Sequence, residues 1–271
     1  MKPPQEDAPF GINLRDKTPT VRFMICVCGI FVFYFVYGLA QESLFTEWRK
    51  EGTACGWLLT FIQYSFYTCF TYVQRLVGGL NSEPRSTPLS AYIVLAAFSV
   101  GTVGLSNASC DFLTYPTQVL FKSSKILPVM LMGTVILRKR YKLMEYICVL
   151  MITAGLFFLN SSSKSNHHAN GNETDTTLGF ILISAALMCD ALIGNVQEKV
   201  FKQYNPSTSE NLIYTKFYGM VLAFVVCLLQ GQLMQIFVII QRPKVMLFLL
   251  LFCLSGIVGE NFIMLTVKHF G

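Results

Sequence analysis

Charge is scarce in this 271-residue chain. Only 13% of its residues are Asp, Glu, Lys or Arg, whereas a soluble domain carries about 25%. Tryptophan occurs only twice. With 53% hydrophobic residues and a mean hydropathy of +0.51, the shortage of charge excludes a disordered chain, a coiled coil and an ordinary cytosolic enzyme. Signatures of chemistry are missing as well. There is no G-x-x-x-x-G-K-[ST] loop for an ATP-driven pump and no H-E-x-x-H for a zinc protease. Intramembrane aspartyl proteolysis needs two facing carboxylates, yet Asp190 is the sole Asp inside an expected span, with Asp111 at a border. No His falls inside a span, which removes a Ser–His pair for acyl transfer. The adjacent His167 and His168 make a poor metal site, so neither metal nor cofactor is expected. No charged ring or carbonyl filter marks a channel. The chain reads as an integral membrane protein and not as an enzyme.

Long apolar runs are what the sequence has in abundance. Eight spanning helices are expected over 22–40, 57–77, 89–107, 116–137, 143–160, 178–196, 212–230 and 245–266. Each is close to the ~20 residues that cross a ~30 Å hydrocarbon core. The runs are too long and continuous for barrel strands, so the fold class is all-α and polytopic. The expected organisation is a tail over 1–21 and a transmembrane domain over 22–271. A polar loop at 161–177 divides the domain into blocks of five and three helices. Seven of the nine cysteines lie inside apolar segments and read as small apolar fillers. Cys55 and Cys110 fall near segment ends on one side, where a disulfide is conceivable.

Orientation follows from the basic residues, which also account for the net charge of +6. With the N-terminus cytosolic, thirteen Lys and Arg fall on the cytosolic side and five on the other, which favours that orientation. The sequons at Asn107, Asn160 and Asn172 then all fall on the luminal side.

Ionisable residues within a span cost roughly 2.5–3.5 kcal/mol at the helix centre, so their positions are informative. The fourth segment carries Tyr115, Gln118, Lys122 and Lys125 within an 80° arc of one helix face. Lys125 is nine residues past Pro116, about 13 Å along the axis and near the midplane. Pro128 cannot donate to the carbonyl of Ser124, which implies a local bend beside a cavity. Two ammonium groups on one face point to an anionic ligand; the competing reading is a charge pair with Asp190 or Glu260. Asp190, Gly194 and Gln197 share a face of the sixth segment, where they line the cavity or, with Asn195, cap the cytosolic boundary. Glu260 in the eighth segment reads as a counter-ion for a lysine or a coupling site. Tyr214, Lys216 and Tyr218 read as interfacial, with Lys216 snorkelling, or else as lining the cavity, and Gln41, Glu42 and Gln63 as lining the luminal mouth. Ala97 with Gly101, Gly104 with Ala108, and Ser255 with Gly259 are small-residue pairs suited to helix contacts.

The stretch GLSNASCDFLTYPTQVLFKSSKILPVM (104–130) resembles a signature of the nucleotide-sugar transporter superfamily. Together with CDALIGNVQEK (189–199) and GIFVFYFVYGLAQE (29–42), it is similar to the subgroup of Golgi transporters for 3′-phosphoadenosine 5′-phosphosulfate (PAPS). The resemblance runs from about residue 22 to 271. It implies a drug/metabolite-transporter-like fold of two inverted five-helix repeats, of which eight of ten helices are present here. Family members continue past Phe270 and Gly271 with two further helices, so the second repeat is expected to be incomplete. It further implies exchange of PAPS for adenosine 3′,5′-bisphosphate across the Golgi membrane, in contact with the lipid bilayer and with no nucleic-acid partner. Substrate contacts are carried over to Lys125, with Lys122, Gln118 and Tyr115 completing that wall and Asn195 and Gln197 on the cytosolic side. Three alternatives stay open. These are a UDP-sugar substrate, a truncated non-transporting form bound to a full-length partner, and assembly as a homodimer.

Overall fold

The computed structural model describes residues 18–50, 55–77, 87–136, 142–164, 173–204, 206 and 208–270. Among the described residues there is no β-strand. The helices are α1 (Pro19–Lys50), α2 (Gly56–Val77), α3 (Leu89–Phe112), α4 (Tyr115–Ser123), α5 (Ile126–Ile136), α6 (Leu143–Lys164), α7 (Glu173–Tyr204), α8 (Thr208–Leu229), α9 (Gln235–Ile240) and α10 (Pro243–Phe270). A 3₁₀ turn at Gln232–Met234 precedes α9. Every expected span coincides with one helix, apart from the fourth, which is α4 and α5 in succession.

Helix is the form these runs must take, since lipid offers no partner for an unpaired backbone group. Among the described residues, five helical stretches are long and apolar enough to cross a membrane: Pro19–Lys50, Leu89–Phe112, Thr177–Tyr204, Glu210–Leu229 and Pro243–Ile263. Large apolar side chains point outward as well as inward, with Phe31 and Phe35 on α1 and Met151 and Phe158 on α6 exposed. That is the pattern of a bundle whose outer surface faces hydrocarbon. At 32 residues each, α1 and α7 overrun the core thickness. Their projecting turns carry charges, with Lys50 paired to Glu47 at 2.6 Å and Lys202 to Glu198 at 2.8 Å.

The bundle is built from α1 on α10, α3 on α7 and α2 on α8, with α3 also touching α2 and α8, and α5 packed on α7. Small residues set how closely these helices approach. Gly104 abuts the Trp57 ring, Gly101 abuts Cys189, and Gly259 abuts the Tyr34 ring. With no hydrophobic drive between helices in lipid, such close packing supplies much of the association.

The fourth span is broken and not merely bent. Past α4 the backbone tightens, with Ser124 N–H bonded to Phe121 O at 3.2 Å and Lys125 N–H to Lys122 O at 3.1 Å. Helical bonding resumes from Val129 N–H to Lys125 O at 3.1 Å. Two local causes act together. Pro128 has no N–H for the Ser124 carbonyl, and it sits in the first turn of α5, where a missing donor is tolerated. The Ser124 hydroxyl also donates to Phe121 O at 2.7 Å, competing for a helix carbonyl.

Candidate functional site

The break sets Lys125 at the junction of two half-helices. Its ammonium lies 3.3 Å from the Asp190 carboxylate on α7, and its side chain is 55% exposed. The acid absent from the lysine face of the fourth span is therefore supplied by a neighbouring helix. Lys122 is partly buried. The ion pair described at the break is that of Lys125 with Asp190, and Lys122 takes no part in it. Two lysines one turn apart thus stand at the break with one paired acid among the described residues.

The other expected wall residues are tied into the scaffold. Gln118 is fully buried, and its Nε2 donates to Ser106 O at 2.6 Å and Ser106 Oγ at 2.7 Å on α3. Its Oε1 is buried without a partner among the described residues. Tyr115 reaches α1, where a Cβ placed on Gly38 would lie 2.9 Å from the Tyr115 hydroxyl. Asn195 is buried, donating to Ala191 O at 2.7 Å and across to Val129 O on α5 at 3.4 Å. These three hold α4 and α5 against α1, α3 and α7, which places the lysines.

Gln197 borders a different space. With Ser99, Asn211, Thr215, Lys216 and Glu260 it lines a cavity of about 80 Å³ among α3, α7, α8 and α10. Here the reading of Lys216 as an interfacial, snorkelling residue is corrected. Its side chain is 12% exposed, and its ammonium lies 2.7 Å from Glu260. The same ammonium stands 5.4 Å from the Tyr64 ring centre and 4.8 Å from that of Tyr67. A cation so placed gains from the ring quadrupoles as well as from the carboxylate. Gln63 belongs to this cluster and not to a luminal mouth, since its Nε2 donates to the hydroxyls of Tyr37 and Tyr67, both at 3.3 Å. Glu260, read from the sequence as a counter-ion for a lysine, faces Lys216, but that partner could not be named in advance because the cluster's parts come from α1, α2, α8 and α10. The usable signal was two ionisable residues of opposite charge, each deep in an apolar run.

At the opposite end from the α3–α8 corner, Asp111 accepts from the N–H groups of Cys55 at 3.3 Å and Gly56 at 3.1 Å, capping α2. Arg49 donates to the carbonyls of Cys110 at 3.1 Å and Leu113 at 2.6 Å, closing the end of α3. Cys55 and Cys110 are buried, and the Cys55 thiol donates to Gln235 Oε1 at 2.8 Å. Asn107 is buried, receiving Gln41 Nε2 at 3.0 Å and donating to Thr60 Oγ1 at 3.0 Å. Gln41 is likewise interior. His167, His168 and Asn172 lie outside the described residues, as does the side chain of Asn160. Among the described residues no cluster of His, Cys, Asp and Glu could hold a metal ion.

The fourth span is thus broken, with two lysines at the break and one of them paired to Asp190. Residues 22–271 match the UAA transporter family. The chain belongs to that family. It is 37% identical over 265 residues to a Homo sapiens protein named adenosine 3'-phospho 5'-phosphosulfate transporter 2, covering 97% of this chain and 64% of that protein. The Aedes aegypti protein of the same name is 36% identical over 96% of this chain and 66% of its own length. The Mus musculus one is 37% identical, over 97% of this chain and 69% of its own length. The chain thus spans slightly less than two thirds of the human and mosquito proteins.

Proposed function

We propose that this chain acts in exchanging PAPS for adenosine 3′,5′-bisphosphate across the Golgi membrane, with its N-terminus in the cytosol. The observation that carries the reading is the pair of lysines at the break, Lys122 and Lys125, with Asp190 the one acid paired there among the described residues. PAPS bears about four negative charges near neutral pH, since a phosphate monoester carries roughly two. An anion of that charge competes well for Lys125, whose existing partner is a solvated carboxylate. The names of the relatives point to the same substrate. In this reading Gln118, Tyr115 and Asn195 position the broken helix, while Lys125 and Lys122 touch the ligand.

The helix pattern supports two inverted repeats, the first over 22–160. Exchanging α1 with α7, α2 with α8 and α3 with α10 carries the α1–α10 pair into the α7–α3 pair and leaves α2–α8 in place. Lengths agree, at 32 residues for α1 and α7 and 22 for α2 and α8. A drug-sized site occupies roughly 300–1,000 Å³. The cavity beside Lys216, at about 80 Å³, is smaller than that, and in this reading substrate enters when the repeats part.

The test is uptake of PAPS by the purified chain in proteoliposomes preloaded with adenosine 3′,5′-bisphosphate. Saturable uptake that needs the internal nucleotide is the expected result. Uptake of a UDP-sugar with none of PAPS overturns the substrate assignment. Light scattering on the same sample distinguishes one copy from a homodimer.

A further inference from the structure

Lys216 is a buried cation with no part in the site at the broken helix. It is held at 2.7 Å by Glu260, and the pair stands between two polar spaces. On one side is the cavity of about 80 Å³, with Ser99, Gln197, Asn211 and Thr215 in its wall, every one able to donate a hydrogen bond. On the other side Glu260 borders a space of only about 10 Å³ walled by Thr71, Gln74 and Asn261, where Gln74 Nε2 donates to Asn261 Oδ1 at 3.3 Å. Glu260 enters that space only when the Gln74 and Asn261 side chains turn aside, while the cation stays over Tyr64 and Tyr67.

Helix α7 relates this pair to the lysines at the break. Asp190, the partner of Lys125, and Gln197, in the wall of the Lys216 cavity, lie on one face seven residues apart, about 10.5 Å along the axis. Gly194 lies between them, and a Cβ there would meet nothing within 4 Å. Two cationic stations are thus set along one strip of helix, each holding a single carboxylate.

We infer that Lys216 is a second anion station, built for the far end of a ligand with two separated anionic groups, and that Glu260 occupies it until such a ligand arrives. The inference rests on the nucleotide-exchange reading above. One anionic end of the nucleotide binds at Lys122 and Lys125, and the other displaces Glu260 from Lys216 into the space beside Gln74 and Asn261. A nucleotide with a single phosphate leaves the Lys216–Glu260 pair closed and forgoes that contact. The station therefore selects bis-anionic nucleotides over singly phosphorylated ones.

The experiment is inhibition of PAPS exchange by adenosine 3′,5′-bisphosphate and by adenosine 5′-monophosphate, in proteoliposomes of the full chain. Wild type is expected to prefer the bisphosphate by roughly tenfold or more, the worth of one charge-assisted contact. The double variant Lys216→Gln with Glu260→Gln stays neutral and should bring the two inhibitors to near equality. Glu260→Gln alone frees the cation and should tighten the bisphosphate. If either variant exchanges PAPS with the wild-type preference intact, the second station is wrong and the transport reading survives. If the wild type exchanges no adenine nucleotide at all, the transport reading falls and the inference falls with it.

Discussion

Lys125 reaches Asp190 across the break between α4 and α5, ammonium to carboxylate at 3.3 Å, with the lysine side chain more than half exposed. A pair so exposed contributes about 1 kcal/mol or less to stability. Lys125→Ala should therefore leave thermal unfolding in detergent nearly unchanged while abolishing PAPS exchange. Asp190→Asn removes the competing carboxylate, so exchange should persist and the apparent affinity should rise. A Lys125→Ala protein that unfolds well below wild type, and is restored by Asp190→Ala, would mark the lysine as a structural partner.

Two glycines on the bundle should respond in opposite ways to alanine. A Cβ on Gly56 would lie 2.6 Å from the backbone N and Cα of Ala108, and backbone cannot rotate aside. Gly56→Ala should cost about 1–3 kcal/mol by overpacking and lower the melting temperature. Gly194→Ala meets open space and replaces a poor helix former, so it should stabilise α7 by up to about 1 kcal/mol. Melting curves of both variants in one detergent check the pair.

Elements whose cause is local were legible in the sequence. Continuous apolar runs gave the eight spans, and Pro128 gave a disturbance of the fourth. The tight turn at Ser124 and Lys125 adds a second local cause, the Ser124 hydroxyl drawn to Phe121 O. Pairings across helices were not legible in the same way. Lys125, Asp190, Lys216 and Glu260 all stood out as charges inside apolar runs, but which acid faces which lysine depends on α7 packing against α5 and on α8 lying near α10. Gln118 and Asn195 show the same limit. Their helix faces could be read, yet the Ser106 and Val129 groups that hold them belong to other elements. Gly38 opposite Tyr115 and Gly219 opposite Tyr64 are further contacts that only the packing reveals.

Asn107 carries a sequon, but its amide is spent inside the bundle. Its Nδ2 donates to Thr60 and its Oδ1 accepts from Gln41. Glycan removal from protein made in a secretory host should give the same mobility shift for wild type and for Asn107→Gln. Asn107→Ala leaves the side-chain amide of Gln41 without its acceptor in a buried setting, at about 1–3 kcal/mol. A lower melting temperature with an unaltered glycan pattern is the expected combination.

Lys216 and Glu260 should be strongly coupled in stability as well as in recognition. At 12% and 21% side-chain exposure neither charge is well solvated, so removing one strands the other. Breaking such a pair from one side costs about 3–5 kcal/mol, whereas replacing both partners by neutral groups of similar volume is often close to neutral. Lys216→Met and Glu260→Gln should each unfold earlier in denaturant titrations, the lysine variant more so because it leaves a carboxylate beside the faces of Tyr64 and Tyr67. The double variant should recover most of the loss. The faces that attract the ammonium repel a carboxylate, so Tyr67→Leu should cost less in the Lys216→Met background than in the wild type, the lost Gln63 contact being common to both. A denaturation cycle over these variants reads that difference, and equal effects of Tyr67→Leu in both backgrounds would assign the rings to packing alone.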